Sequence, residues 1–104
     1  DAVTGLSGSG PAYVFTFIQA LADGGVKMGI PRRDALLLAA QTVAGAARMV
    51  LDSRENPIEL RCAVTSPGGT TIEGIHVMER AGFSGIVMDA VQAAAEKSRK
   101  LGAG

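Results

Sequence analysis

The amino-acid sequence predicts an all-α fold of about five helices, and three observations carry that prediction. No stretch alternates apolar and polar residues with period two over the length of a strand. Apolar residues instead gather in blocks opened by helix-starting residues, Ser9-Gly10-Pro11 and Asn56-Pro57. The blocks close on glycine, at Gly29, Gly82 and Gly102, with Pro31 just beyond the first of these. At 104 residues the chain is one domain with room for a modest core.

Residues 1–10 read as a Gly/Ser loop, and Ser9 caps a helix that carries Pro11 in its first turn. That helix runs to about Met28, with Asp23 and Lys27 placed as an i, i+4 ion pair near its end. A second helix runs from Pro31 or Arg32 to about Ser53. Between Ala35 and Ala47 its only polar residues are Gln41 and Thr42, so it is apolar nearly all round where a surface helix would show a polar face. Neither apolar run reaches the roughly 18 to 20 residues that span a bilayer. A chain this small cannot bury two such helices on every side, which predicts burial against another chain and an obligate oligomer.

Asn56-Pro57 opens a short helix ending near Val64. The next helix is expected from about Thr71 to Ala81, with Thr70 and Glu73 at the spacing of a capping box. Ile72, Ile75 and Met78 share one of its faces, while Glu73, His76 and Arg80 lie opposite or on the flank. Ser84 caps the last helix, which runs to about Leu101. Lys97, Arg99 and Lys100 in its final turns complement the negative end of the helix dipole.

Composition excludes several functions. Ten Lys and Arg balance ten Asp and Glu, and no like-charge block exceeds Arg32-Arg33, which argues against nucleic acid or a membrane surface as partner. Trp is absent and the aromatics are few, so no platform for stacked bases is present. Cys62 stands alone, cannot form an internal disulfide, and suits a reducing compartment. A cytoplasmic location is expected, or a mitochondrion or plastid in a eukaryote. The chain begins at Asp1 and reads as a piece of a longer protein.

Chemistry-bearing motifs are sparse. Gly8 and Gly10 begin a dinucleotide fingerprint that Tyr13 breaks where the third glycine belongs. A nucleophile elbow on Ser7 fails because Ser9 stands in place of glycine. His76 is the one imidazole and has no second His, Cys or Asp at ligand spacing, so no metal site is expected. Lys27, with Asp23 four residues before it, reads as a surface residue, and Cys62 as packing.

What remains are two hydroxyl- and glycine-rich loops beside helix starts, residues 4–10 and 65–71. In the second, Ser66-Pro67-Gly68-Gly69-Thr70-Thr71 leaves backbone amides unshielded just ahead of a helix, which suits a small anion. A plain Pro-Gly turn joining two helices accounts for the same residues. Neither loop holds a strong acid, base or nucleophile, so the difficult chemistry would fall to a cofactor.

Taken together, three segments resemble the C-terminal domain of the pyrroline-5-carboxylate reductase family. They are Asp1 to Tyr13, Ala20 to Arg32, and the run from Pro57 through Leu60, Val64-Thr65-Ser66, Pro67-Gly68-Gly69, Thr71, Gly74-Ile75 and Met78-Glu79. The resemblance implies a helical domain like those of the 6-phosphogluconate dehydrogenase group, interlocked with its twin as a homodimer or larger ring. It implies an N-terminal Rossmann domain, absent from this chain, that binds NAD(P)H. The reaction implied is hydride transfer to the C=N carbon of 1-pyrroline-5-carboxylate, giving L-proline, with no nucleic acid and no membrane involved. Ser66, Gly68, Gly69, Thr70 and Thr71 would hold the substrate carboxylate, and Thr4 would hydrogen-bond the imine nitrogen. Ser7 and Ser9 would shape their loop or face the nicotinamide. The chain alone is expected to be inactive. Two alternatives stay open: a non-catalytic oligomerisation module, and the helical domain of another reductase of the same group. Members of that group with a catalytic lysine carry an asparagine one turn on, where Lys27 is followed by Pro31.

Overall fold

The computed structural model describes residues 1–103. Five α-helices follow one another: α1 Gly10–Lys27, α2 Arg32–Ser53, α3 Pro57–Ala63, α4 Thr70–Arg80 and α5 Phe83–Ala103. A π-helical turn, Thr4–Gly8, precedes α1, and no strand occurs among the described residues. The all-α prediction and the number of helices hold. The chain forms two compact units, Tyr13–Arg61 and the remainder, Asp1–Ala12 with Cys62 onward.

In the unit Tyr13–Arg61, α1 stops because Gly29 takes the left-handed conformation, φ 105°. The N–H of Gly29 then donates to Val26 O (2.9 Å) and that of Ile30 to Gly25 O (2.9 Å), the paired bonds of a Schellman motif. The chain reverses into α2, and the two helices meet through small residues. Ala22, Ala35 and Ala39 are buried, with Ile18 and Val26 packed around them. A Cβ on Gly25 would already stand 3.3 Å from that of Ala35, so the approach is close.

Many of the larger apolar side chains lie outside this contact. Phe15 is 69% exposed, Leu37 58% and Leu51 72%. At 22 residues α2 is long and apolar enough, by length and composition alone, to cross a membrane. The expectation that no run reaches that length therefore fails for α2, whose apolar character extends beyond Ala47 through Met49, Val50 and Leu51.

The expected Asp23–Lys27 pair does not form. Reversal of the chain brings Arg32 back to α1, where its guanidinium donates to Asp23 Oδ1 at 2.5 Å, and Gln19 Nε2 donates to the same oxygen at 3.0 Å. The Arg32 hydrogen bond first, and that of Gln19 second, hold the exposed Asp23 carboxyl below its usual pKa. The sequence-predicted cap of α3 is present: Asn56 Oδ1 accepts the Ile58 N–H at 2.8 Å.

In the other unit the expected Gly/Ser loop is instead helical from Ala2 to Gly8. Ser9 N–H donates to Thr4 O at 2.8 Å, an i to i+5 bond, and Ser7 Oγ donates back to Val3 O at 3.1 Å. The turn is held because Gly5, fully packed away, lies flat on α5. An ideal Cβ there would overlap Val91 O and stand 2.9 Å from Ala95 N. Ser98 Oγ adds a hydrogen bond to Asp1 Oδ1 at 3.2 Å. Gly5, which the sequence places in a loop, is here a flat surface for helix packing.

Helix α4 also packs on α5. Gly82, with φ 88°, turns the chain between them, as the sequence predicts. Ser84 does not cap α5, because the helix begins one residue earlier, at Phe83. Its hydroxyl reaches back to the Glu79 carboxylate, at 2.9 and 3.0 Å from the two oxygens. Gly102 does not end α5 either, since the helix continues to Ala103.

Candidate functional site

Two features of the same unit carry the sequence-predicted residues. The first is the passage from α3 into α4. Pro67 and Gly68, φ 70°, occupy the middle of a turn closed by Gly69 N–H to Ser66 O at 3.1 Å. Proline then glycine at these positions is what a turn with a positive φ at its third residue selects. Gly69 follows with φ −82° and ψ −179°, and it is the N-cap of α4.

This placement overturns the capping box. Thr70 lies inside the helix rather than at its cap, and no side chain hydrogen-bonds the start of α4. The first N–H groups of a helix have no partner within it, so those of Thr70 and Thr71 face outward at the positive end of an 11-residue helix. A second correction concerns Gly69: its N–H is spent on Ser66 O and cannot serve an anion. Ser66 and Thr71 adjoin the remaining donors in the sequence, and both residues are exposed. Local pattern could not reveal that the helix begins one residue early, because Thr70 fits the cap and the first turn equally well.

The second feature is a recess of about 290 Å³ where the π-turn meets α5, lined by Thr4, Ser9, Ala94, Lys97, Ser98 and Leu101. Thr4 and Ser9 are therefore brought together, and no residue of 66–71 lines that recess. Ser7 points its hydroxyl back into its own turn. Lys97 and Ser98 were not anticipated beside Thr4. They lie more than ninety residues away in sequence, and no local signal connects them.

The other candidates carry no assembled chemistry. Cys62 and His76 are exposed. Among the described residues, no three His, Cys, Asp or Glu side chains gather where a metal could bind. The dinucleotide turn is also missing. Gly8 closes a π-turn and Gly10 opens α1, with no strand leading into them. The described residues thus do not fit a dinucleotide's phosphates in the manner of a Rossmann turn.

Comparison with known proteins places the chain in a family. Residues 1–101 match the family described as pyrroline-5-carboxylate reductase dimerisation. The chain is 61% identical over 101 residues to a pyrroline-5-carboxylate reductase of Glycine max, covering 97% of this chain and 37% of that protein. It is 58% identical over 102 residues to that of Methanosarcina acetivorans, covering 98% and 38%. The chain thus spans little more than a third of the length of these relatives. In structure it resembles the Plasmodium falciparum pyrroline carboxylate reductase solved with NADP bound, with TM-score 0.94 and 43% identity over 98% of this chain and 41% of that one. A Coxiella burnetii pyrroline-5-carboxylate reductase gives TM-score 0.93 and 41% identity, over 96% and 37%. At such identities over nearly its whole length, the chain belongs to the pyrroline-5-carboxylate reductase dimerisation family.

Proposed function

We propose that the chain is the C-terminal, substrate-binding and dimerisation domain of an enzyme that reduces 1-pyrroline-5-carboxylate to L-proline with NAD(P)H. The observation that carries this reading is the open start of α4, where the Thr70 and Thr71 N–H groups have no side-chain cap. A carboxylate placed there meets two backbone donors and two hydroxyls at the positive end of a helix. Such fixed donors neutralise the charge without a mobile cation and orient the ring for attack.

The nicotinamide, when bound, supplies the hydride. Because the described residues do not fit a dinucleotide, we assign its binding mainly to an N-terminal domain outside this chain. Thr4 is our candidate to hydrogen-bond the imine nitrogen, which is a better hydride acceptor as an iminium. Thr4 and Ser66–Thr71 do not line one recess, so we propose that a partner subunit completes the site. We assign the same partner to the exposed apolar side chains of α2, in preference to lipid. With no Rossmann turn of its own, the chain by itself is expected to show no turnover. A cytoplasmic or organellar location remains part of this proposal.

Steady-state kinetics of the full-length enzyme test the reading. Thr71→Ala should raise KM for the pyrroline, by about 1 to 3 kcal/mol of lost binding if the partner group is left buried and unpaired. Thr4→Ala should mainly lower kcat. Unchanged kinetics in both variants would reject the assignment.

A further inference from the structure

The two adjacent glycines of the α4 entrance are glycine for different reasons. Gly68 has φ 70°, a conformation that side chains rarely adopt. Gly69 has φ −82° and ψ −179°, ordinary extended backbone open to any residue. Backbone conformation therefore does not explain the glycine at 69, whereas its surroundings do. An ideal Cβ there would overlap Ser66 Oγ, while lying 3.3 Å from Ser66 O and 3.7 Å from Ser66 Cβ. The space a side chain would fill is taken by one atom, the Ser66 hydroxyl oxygen.

We infer that Gly69 is a positioning residue: its missing side chain is the seat that holds the Ser66 hydroxyl over the open start of α4. The inference rests on the proposed carboxylate site and adds a division of labour to it. Gly69 makes no bond to the anion, because its N–H is already given to Ser66 O. It acts through Ser66. The hydroxyl is the end of a short rotatable side chain, so a methyl group at 69 would swing it to another rotamer rather than break the turn. The carbonyl at 3.3 Å is a tight neighbour that must give by a few tenths of an ångström.

A double-mutant cycle in the full-length enzyme tests the seat, with 1-pyrroline-5-carboxylate as the varied substrate. Ser66→Ala should raise KM roughly three- to tenfold, the effect of losing one hydrogen bond. Gly69→Ala should raise KM by a similar factor with kcat nearly unchanged. The double variant should be no worse than Ser66→Ala alone, because the hydroxyl that the methyl displaces is already gone. Thermal melting of all four proteins separates this from misfolding. If Gly69→Ala alone is unstable, adding Ser66→Ala should restore its melting temperature, and failure to do so overturns the seat. An effect of Ser66→Ala on KM with none from Gly69→Ala overturns the seat and leaves the carboxylate site standing. Multiplying effects in the double variant overturn it likewise. No effect from Ser66→Ala overturns the reading of Ser66 beneath it, and the seat with it.

Discussion

Replacing Gly5 with alanine should loosen the π-turn from α5, and the structure sets the size of the effect. The new methyl carbon would stand 2.9 Å from Ala95 N and 3.2 Å from Ala95 Cβ, and would overlap Val91 O. Ordinary contacts of this kind lie at roughly 3.3 to 3.6 Å. The overlap with Val91 O sets the retreat of the turn, at about 0.9 Å or more. Two of the three opposing atoms belong to the backbone of α5 and cannot rotate away. Overpacking of this sort costs typically about 1 to 3 kcal/mol, and an immovable backbone places Gly5→Ala at the upper end. For a chain the length of the full enzyme that corresponds to a fall in Tm of roughly 6 to 12 °C. Retreat of the turn also carries Thr4 and Ser9 away from Lys97 and Ser98, so kcat should fall with stability. Differential scanning calorimetry of the full-length variant, beside its kinetics, is the assay. A Tm within about 1 °C of the unmodified enzyme would refute the claim that glycine is required for this contact.

The oligomer reading predicts that Leu37→Glu, which places a charge among the exposed apolar residues of α2, converts the assembly toward monomer in sedimentation at low micromolar concentration. Unchanged sedimentation would count against a subunit contact there. Recruitment of the unmodified chain to lipid vesicles would instead favour the membrane reading of α2. The lowered pKa of Asp23 predicts a stability contribution that is fully present above the ordinary carboxyl pKa of 3.8 and lost as pH falls through the lower folded value. Asp23→Asn should therefore remove this part of the pH dependence of the acid limb and leave the rest, as read from melts between pH 5 and 2.

The helical scaffold was legible in the sequence because its signals are local. Gly29 followed by Pro31, Asn56-Pro57 and Gly82 each set a helix end through their own backbone chemistry, and each lies where those signals place it. Features set by distant residues were not legible. Gly5 is defined by Val91 and Ala95, Asp23 by Arg32 across a chain reversal, and Thr4 by Lys97 and Ser98. Each required the tertiary fold to select among local options that the sequence left equivalent.

The α4 entrance falls between these cases. Its residues point to an anion, yet the spacing of Thr70 and Glu73 predicts a capping box that would satisfy some of the donors an anion needs. In the structure Gly69 takes the cap position and offers no side chain, so the donors stay open. The local rule thus fails at the place where the proposed chemistry needs open donors.

A crystal structure of the full-length enzyme with L-proline bound tests that claim most directly. The account predicts the proline carboxylate within hydrogen-bond distance of the Thr70 or Thr71 N–H and of a hydroxyl of Ser66 or Thr71. A carboxylate bound elsewhere, with the start of α4 left to solvent, would contradict it.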